Sequence, residues 1–277
     1  MIDERYTKKY PLYILSPSFR ITALCTAGEA LRAPGYASRG EMHDFSECVF
    51  IIDGVAEITA DESVYRLSKG QMIFHPPMEF HRVRNESNSP LHILILSFTA
   101  EPCPIKEHRI FEVSDVSRIR DLIEKLRSLF LTEKIRLLKP QYPENAYSVQ
   151  KTVSRIENYL ISLFDQKEEL PVAVEDNVSE LYSRAVTLMH QNLASRLNAK
   201  ELSSMCGMSV SSMQKLFLKY AGIGMIKYYN NMRMHRARQL LQNGMSVKEV
   251  AVSLGYDDQN YFSTAYRRHF GIPPSKQ

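Results

Sequence analysis

The chain has 277 residues, of which 44% are hydrophobic and 24% are charged, and its formal net charge is +4. This composition excludes a disordered or fibrous chain and provides enough residues for about two globular domains. The N-terminus lacks the apolar core of a signal peptide and no apolar run approaches the ~20 residues that span a bilayer, which predicts a cytoplasmic protein without membrane contact.

The first hundred residues have the pattern of short β-strands. Turn residues such as Asp53–Gly54 and Pro76–Pro77 separate runs of β-branched and aromatic residues. Strands this short at close, regular spacing predict an antiparallel sandwich or barrel. The predicted strands are Cys48–Ile52, Ala56–Ala60, Tyr65–Leu67, Gln71–Phe74 and Leu91–Phe98.

Two spacings within these strands resemble the motifs of the cupin family. The first motif matches His43, Glu47 and Gly54, and the second matches Gly70, Pro76, His81 and Asn85. Two positions depart from the pattern, because Glu41 stands where the first histidine is usual and Met78 replaces a glycine. The resemblance implies a cupin-like barrel with a site formed by Glu41, His43, Glu47 and His81.

Two uses of this barrel site remain open. In a metal-bearing cupin the four positions are ligands, and two histidines with two carboxylates could hold iron, manganese or zinc. In regulators the barrel usually keeps its framework and forms a pocket for a small effector. We predict the effector pocket, with no metal or other cofactor. The cysteines are scattered without the spacing of a zinc site, which predicts reduced thiols at Cys25, Cys48, Cys103 and Cys206.

Other residues of this region have weaker patterns. The aromatic residues Tyr10, Tyr13, Phe19 and Phe45 could line an effector pocket, or could simply belong to the core. Three further histidines have no partner pattern and are interpreted as surface or core residues: His75, His92 and His108.

Two helices are predicted in the middle of the chain. Residues Ser114 to Glu133 have apolar residues, including Phe130, at three- and four-residue steps, so this helix can pack against the barrel. A break follows at Lys139–Asn145. The second helix, Ala146 to Gln166, has a narrow apolar seam of Val149, Val153, Ile156, Leu160 and Leu163. This seam could dock on the preceding helix, but we favour an additional homodimer contact. The acidic segment Glu168–Asp176 suits a linker.

The C-terminal region contains one pattern twice. The segment that begins at Ala199 returns at Val247, an offset of 48 residues. Each copy predicts a helix, a turn at Gly207 or Gly255, and a second helix whose N-cap is Ser209 or Asp257. This is the order of a helix-turn-helix unit. A continuous helix over Met225 to Gln242 would hold the two units at a fixed separation.

These repeated segments resemble the AraC/XylS family of bacterial transcription regulators from near Val178 to the C-terminus. The segments that match the family are Met208–Phe217, Arg233–Leu241 and Val250–Pro274. The family ends Pro-x-x-Tyr-Arg, whereas this chain ends Pro274-Ser-Lys-Gln277. The resemblance implies binding to double-stranded DNA, with two recognition helices in successive major grooves ~34 Å apart. Many members carry a cupin-like domain N-terminally, and an activator would also contact RNA polymerase.

The family pattern and residue chemistry together predict which side chains meet DNA. The predicted base-reading residues are Ser211, Gln214, Lys215, Gln259, Asn260, Ser263 and Thr264, because Gln and Asn suit adenine and Lys suits guanine. The predicted phosphate contacts are Lys219, Lys227, Arg233, Arg267 and Arg268, for each of which a solvated helix face is the alternative. From Asn177 onward there are 13 Lys and Arg against 5 Asp and Glu, so the positive charge lies where the repeat is.

We therefore predict an α+β protein, with an N-terminal antiparallel β-barrel and flanking helices before an all-α domain with two helix-turn-helix units. The predicted domains are residues 1–110 for effector sensing, 111–176 for packing and dimerisation, and 177–277 for DNA binding. The predicted function is a transcription regulator that acts as an activator, and not an enzyme. Two alternatives are a constitutive or protein-controlled factor and a metal-dependent cupin enzyme fused to a DNA-binding module.

Overall fold

A computed structural model describes residues 16–129, 145–166 and 177–277. The predicted α+β architecture is confirmed, with a strand-rich N-terminal part followed by a helical part. Several predictions lie outside the described residues: the positions of Tyr10, Tyr13 and Phe130, most of the break before Asn145, and the linker from Glu168 to Asp176.

The N-terminal part is a barrel-like sandwich of two antiparallel sheets, in which the strands follow the order β1-β7-β2-β5-β8 in the first sheet and β4-β3-β6 in the second. Every predicted strand is present, and the last strand extends past the predicted boundary at residue 110. The strands are β1 (Ile21–Arg32), β2 (Ser46–Asp53), β3 (Val55–Ala60), β4 (Ser63–Ser68), β5 (Gln71–His75), β6 (His81–Arg84), β7 (Leu91–Ala100) and β8 (Arg109–Glu112).

The turn between β2 and β3 depends on a glycine. Gly54 has φ +87°, and a Cβ at this position would lie 2.7 Å from the backbone oxygen of Pro90. Only glycine combines this left-handed backbone with such a close approach. The turn directs the chain from the five-stranded sheet into the three-stranded sheet, so that Val49 and Ile51 of β2 share a core with Ile58 of β3.

Two helices, α1 (Val116–Leu129) and α2 (Ala146–Phe164), cover the five-stranded sheet. The apolar seam of α2 is used within the chain: Ile156, Leu160 and Leu163 are buried against α1 and the barrel, and Val149 and Val153 are partly buried there. The predicted use of this seam in a homodimer is therefore wrong, because residues already buried in their own core cannot also face a second subunit.

The C-terminal part contains six α-helices and a terminal 3-10 turn, Pro274–Lys276. No helix among the described residues has the length and hydropathy needed to cross a membrane. The helices are α3 (Asn177–Gln191), α4 (Ala199–Met205), α5 (Val210–Tyr220), α6 (Met225–Gln242), α7 (Val247–Ser253) and α8 (Gln259–Phe270).

The helical part has two hydrophobic cores that share one long helix. Met225 and Met232 of α6 pack with α3, α4 and α5, whereas Met234 and Ala237 of the same helix pack with α7 and α8. Each core encloses one of the two repeated units. Helix α6 is thus the rigid connection between them, as its position between the repeats predicted.

The two repeats end and begin their helices in the same way. A capping box stands at Asn198 in the first repeat and at Ser246 in the second, where each side chain accepts from the N3 backbone. Gly207 and Gly255 both have φ +67°. The predicted N-cap Ser209 is confirmed. In the second repeat, however, the N-cap is Asp258 and not Asp257, because it is the Asp258 carboxylate that accepts the Asn260 N–H, at 2.7 Å.

The barrel contacts the first helix-turn-helix unit directly. Phe80 of the barrel belongs to the core of that unit and meets Tyr228 edge to face, with ring centroids 4.7 Å apart. Arg82 and Arg84 of β6 and Thr59 of β3 donate hydrogen bonds to the carbonyl groups of residues 218–220, at distances from 2.5 to 3.1 Å. These carbonyls end α5 and have few partners within the helix. The barrel therefore fixes the C-terminal end of α5.

Candidate functional site

The first recognition helix, α5, presents its predicted base-reading residues unequally. Ser211 and Lys215 are exposed, but Gln214 is half-buried. A Cβ at Gly224 would lie 2.7 Å from the Gln214 amide nitrogen, so this amide lies against the turn before α6. Of the three, Lys215 has the longest exposed polar side chain.

The second recognition helix, α8, presents a more continuous polar surface. Gln259, Asn260 and Thr264 are exposed and Ser263 is half-buried. The Thr264 hydroxyl donates to the Asn260 backbone carbonyl at 2.9 Å, and the Asn260 side chain is exposed. The inward residues of both helices belong to the core. Phe270 is half-buried, and the buried residues are Met213, Leu216, Phe217, Phe262 and Tyr266.

The predicted phosphate contacts separate into three groups. Lys227, Arg267 and Arg268 are exposed and stay predictions. Lys219 is exposed at the barrel end of α5, where its ammonium group donates to the Tyr220 hydroxyl at 2.9 Å. Arg233 is only 2% exposed and cannot reach a phosphate, so its assignment as a phosphate contact is wrong.

Arg233 instead holds the two helix-turn-helix units together. Its Nε donates to the Leu193 carbonyl at 3.2 Å, and its second terminal nitrogen donates to the Leu254 carbonyl at the end of α7. The guanidinium lies over the Tyr256 ring, 4.7 Å from its centroid. Because one side chain bonds the loop after α3 and the end of α7, it fixes how the two units are oriented.

A cleft between α6 and α8 adds one basic residue, Arg196, that the sequence patterns did not indicate. This cleft has a volume of about 610 Å³ and is lined by Lys227, Arg268 and Thr264 together with Arg196. Arg196 lies in the loop before α4 and donates to the Tyr261 hydroxyl on α8, at 3.0 Å. Positive charge from three segments therefore adjoins the base-reading face of α8, as phosphate binding beside a major groove requires.

The barrel brings three of the four predicted pocket residues together. Potential ligand atoms of His43, Glu47 and His81 all lie within 4.8 Å of one another, and we call these residues the barrel triad. Glu47 Oε1 lies 3.4 Å from His81 Nε2, and Glu47 Oε2 lies 3.8 Å from His43 Nε2. Glu41 pairs with His81 through the backbone, and its carboxylate lies close enough to His81 and Glu47 to interact with their charges, but it is not one of the three clustered ligand groups.

Backbone carbonyls orient both imidazoles of the triad. His43 Nδ1 lies 2.8 Å from the Phe45 carbonyl, and His81 Nδ1 lies 3.2 Å from the Glu79 carbonyl. Each Nδ1 therefore carries the proton, which leaves both Nε2 atoms turned toward Glu47. The structure gives these two buried Nε2 atoms no hydrogen-bond partner.

The charges in the triad respond to burial and to one another. Burial lowers the pKa of His43 to about 4, helped by the nearby His81. Burial would raise the pKa of Glu47, but the His81 imidazole 3.4 Å away and a hydrogen bond from Ser97 outweigh it and hold this pKa at about 2. Glu47 is therefore a carboxylate at neutral pH. Beside it, His43 Nε2 and His81 Nε2 each offer a lone pair, or one of the two nitrogens carries an added proton.

The aromatic residues near the barrel have different roles. Phe19 is core, in edge contact with Phe98 and Phe164, so the pocket role considered for it is wrong. Phe45 stacks on the His43 ring with centroids 3.7 Å apart and is thus part of the surroundings of the triad.

A buried carboxylate with two histidine partners adjoins the triad. Glu79 meets His75 Nδ1 and His108 Nδ1, each at 2.5 Å, and the His75 ring stacks on His81. His108 is a satisfied half-buried group, because its Nε2 also lies 2.7 Å from the Tyr65 hydroxyl, whereas the buried His75 Nε2 has no hydrogen-bond partner among the described residues. His92 pairs with Glu29 near the surface. Only the spacing of His75 and Glu79, four residues apart on a tight loop, could have indicated the Glu79 pair from sequence.

Comparison with known proteins agrees with both halves of this description. A family profile for the helix-turn-helix domain matches residues 202–277, and a profile for the cupin domain matches residues 29–97. GbdR of Pseudomonas aeruginosa, an HTH-type transcriptional regulator, is 41% identical over 90 residues, which cover 32% of this chain and 24% of GbdR. The chain thus matches only about a quarter of the length of that relative.

Two further similarities extend the comparison. The HTH-type transcriptional activator RhaS of Escherichia fergusonii is 21% identical over 259 residues, which cover 88% of each chain. A solved transcriptional regulator with an AraC-type DNA-binding domain, from Chromobacterium violaceum, is 34% identical; the match covers 35% of this chain and 88% of that chain, with a TM-score of 0.33.

Proposed function

We propose that this member of the AraC/XylS family, in which a cupin domain precedes two helix-turn-helix units, is a sequence-specific DNA-binding transcription regulator that responds to a small-molecule effector held by its cupin domain. One observation carries the proposal. Two helix-turn-helix units are held on one continuous helix, α6, and each presents an exposed polar recognition helix. Two rigidly connected readers suit two neighbouring major grooves of one duplex.

The other parts of the proposal follow from family and chemistry. We propose that the chain activates transcription through RNA polymerase, because RhaS, a similar protein along most of the chain, is described as an activator. We place it in the cytoplasm, where its DNA would be. A homodimer stays part of the proposal, but with an interface other than the seam of α2.

Base reading and phosphate binding can be separated by one substitution of each kind. Gln259→Ala should reduce the discrimination between bases at one operator position by about 1–3 kcal/mol. Discrimination at the other positions should not change. Arg268→Ala should weaken binding to all DNA sequences alike and reduce the slope of log affinity against log salt concentration by about 1. Binding titrations against single-base variants of a selected operator, at several salt concentrations, measure both quantities.

The matched control for Arg268 is Lys276→Ala, an exposed basic residue after α8 that is predicted to contact neither bases nor phosphates. It should change the salt slope little. If Gln259→Ala and Arg268→Ala gave the same profile across all base variants, the assignment of α8 as the reading helix would be wrong.

A second candidate function is an ion site at the barrel triad. The side chains of His43, Glu47 and His81 are only 13%, 11% and 2% exposed, so the triad can hold an ion but not an organic substrate. Two imidazole nitrogens without hydrogen-bond partners and one carboxylate fit a divalent ion such as iron, manganese or zinc, with backbone carbonyls fixing the ring orientation. This geometry favours a structural or sensory ion over catalysis.

Metal content tests the ion site without any activity assay. The purified full chain should contain about one divalent ion per chain by elemental analysis, and chelation should lower its melting temperature, because an ion that binds only the folded state stabilises it. His43→Ala should lose the ion. His92→Ala, a half-buried histidine paired with Glu29 away from the triad, should keep it. Equal metal content in the two variants would exclude the triad as the ion site.

A further inference from the structure

A second cavity lies between the barrel and the helical part, and none of the four predicted pocket residues lines it. This interdomain cleft has a volume of about 670 Å³. Its barrel wall comes from the turn after β3, from the loop between β5 and β6, and from the segment before β8. Its helical wall comes from the end of α3 and the middle of α6. The volume lies in the range of small-molecule sites.

Backbone strain is concentrated in this cleft. Asp61 has φ +44° and Met78 has φ +73°, and among the described residues these are the non-glycine residues with positive φ. Both line the interdomain cleft. Met78 stands where the cupin motif has a glycine, and its N–H donates to the His43 carbonyl at 2.7 Å. A side chain that is kept in a strained conformation is a recurrent feature of ligand sites. Here the strain directs a flexible, polarisable methionine into the cleft.

The barrel wall offers the carboxylate of Asp61, which forms no ion pair with another residue in the described part of the chain. Asp61 accepts the Phe80 N–H at 3.0 Å through one of its oxygens. Burial, and then the charge of Glu79, raise the pKa of Asp61 to about 7. The Glu79 carboxylate already has hydrogen bonds to two histidines. Glu62, the neighbour of Asp61, also lines the cleft. A cationic group placed between Asp61 and Glu62 would stabilise both carboxylates.

The opposite wall offers positive charge and an unpaired polar atom. Arg236 and His235 of α6 line the cleft. His235 is 8% exposed, and its Nδ1 is buried without a hydrogen-bond partner. Arg236 donates only a long hydrogen bond of 3.3 Å, to Gln239. Asp61 and Glu62 thus line the barrel side of the cleft and Arg236 lines its helical side, with Lys106, Glu107 and His190 as further lining residues. His190 lies close enough to Glu62 to feel its charge.

We propose that the interdomain cleft binds a small zwitterion of the amino-acid class, with its ammonium group at Asp61 and Glu62 and its carboxylate at Arg236. This inference rests on the proposed function and names the place and the chemical class of the effector. The apolar body of the ligand would contact Met42, Met78 and Met232, which also line the cleft. The barrel triad is nearly closed to solvent and remains a site for an ion.

The position of the cleft explains how such a ligand would act on DNA binding. Its two walls belong to the sensing and the DNA-binding parts, so a ligand that bonds both favours the arrangement in which they face each other. Outside the cleft, the ion pair of Asp44 with Arg238, at 2.6 Å, also joins the barrel to α6. Helix α6 carries both Arg236 and Arg238 and connects the two recognition units, so the ligand would bias their position relative to the barrel.

Thermal unfolding of the full chain tests the inference. The probes are the proteinogenic amino acids at millimolar concentration, each with its decarboxylated amine and its deaminated acid. At least one amino acid should raise the melting temperature, and its amine and its acid should each raise it less. Asp61→Asn and Arg236→Ala should each lower the affinity for that amino acid by at least about tenfold, because each removes one charged contact.

Two control substitutions match these changes in charge outside the cleft. Asp53→Asn alters an exposed carboxylate at the end of β2, and Lys248→Ala alters an exposed cation on α7. Both variants should bind the amino acid like the unsubstituted chain. If no amino acid shifts the melting temperature, if amines or acids alone do so, or if Asp61→Asn and Arg236→Ala bind unchanged, the inference is wrong. DNA retention measured on the same samples separates this failure from that of the proposed function, because a chain that retains DNA but binds no zwitterion is still a regulator.

Discussion

Replacement of Gly255 by alanine should severely destabilise the second helix-turn-helix unit. The residue has φ +67°, and a Cβ built on it would lie 2.1 Å from the Ala194 carbonyl oxygen. The left-handed conformation costs an L-residue about 1–2 kcal/mol, and forcing backbone apart adds roughly 1–3 kcal/mol, so we expect a loss of about 2–5 kcal/mol. Because Ala194 belongs to the loop after α3, the same clash should separate the two units. Chemical denaturation measures the loss in unfolding free energy.

The repeat supplies the matched control for this change. Gly207 occupies the equivalent turn of the first unit with the same φ of +67°, but a Cβ there would meet nothing within 4 Å. Gly207→Ala should therefore lose only the conformational cost of about 1–2 kcal/mol. Equal losses at the two glycines would mean that the close approach at Gly255 does not exist in solution.

Replacement of Arg233 should be nearly as damaging, although the change lies on a helix far from any end. Arg233→Met keeps the length of the side chain but leaves the carbonyl groups of Leu193 and Leu254 without their donors. Each buried, unsatisfied carbonyl costs about 1–3 kcal/mol, so we expect a loss of about 2–5 kcal/mol in unfolding free energy. DNA affinity should fall as well, because the two units would no longer be held in one orientation.

Arg267→Met is the control for this substitution, since Arg267 is an exposed arginine on α8. It should weaken DNA binding with little change in stability, within about 0.5 kcal/mol for an exposed site. If Arg233→Met left stability unchanged and only altered the salt dependence of DNA binding, Arg233 would be a phosphate contact after all.

The sequence predicted the DNA-binding part well because its determinants are local. Each turn requires a glycine with positive φ, each helix begins at a capping residue, and both signals occur twice at the same offset. The error at the second N-cap, Asp257 for Asp258, has the same origin. Two adjacent aspartates can both cap a helix, and the choice between them depends on backbone geometry that a single sequence does not give.

Arg233 was assigned wrongly because helix α6 has no single buried face. Periodicity assumes that one side of a helix is apolar and the other is solvated. Here one helix is covered by two different cores, so Met232, Arg233, Met234 and His235 are all buried in succession. An arginine on such a helix is interior, and only the arrangement of both units around it shows this.

The barrel was predictable in its framework and less so in its contacts. The cupin spacing singled out His43, Glu47 and His81, and the structure brings potential ligand atoms of all three within 4.8 Å of one another. The bond of His108 to Glu79 spans 29 residues, and no local pattern predicts it. The spacing of apolar residues in α2 likewise predicts that the helix packs against a partner but does not identify the partner. In the structure Leu160 packs within its own chain.

The central claim is that two recognition helices on one rigid helical part bind two neighbouring major grooves. Hydroxyl-radical footprinting of the full chain on a selected genomic fragment tests it most directly. We predict that each protomer protects one face of the duplex over nearly two helical turns, in two zones whose centres are ~34 Å apart. Protection limited to half a turn per protomer, or no fragment retained even in dilute salt, would contradict the claim.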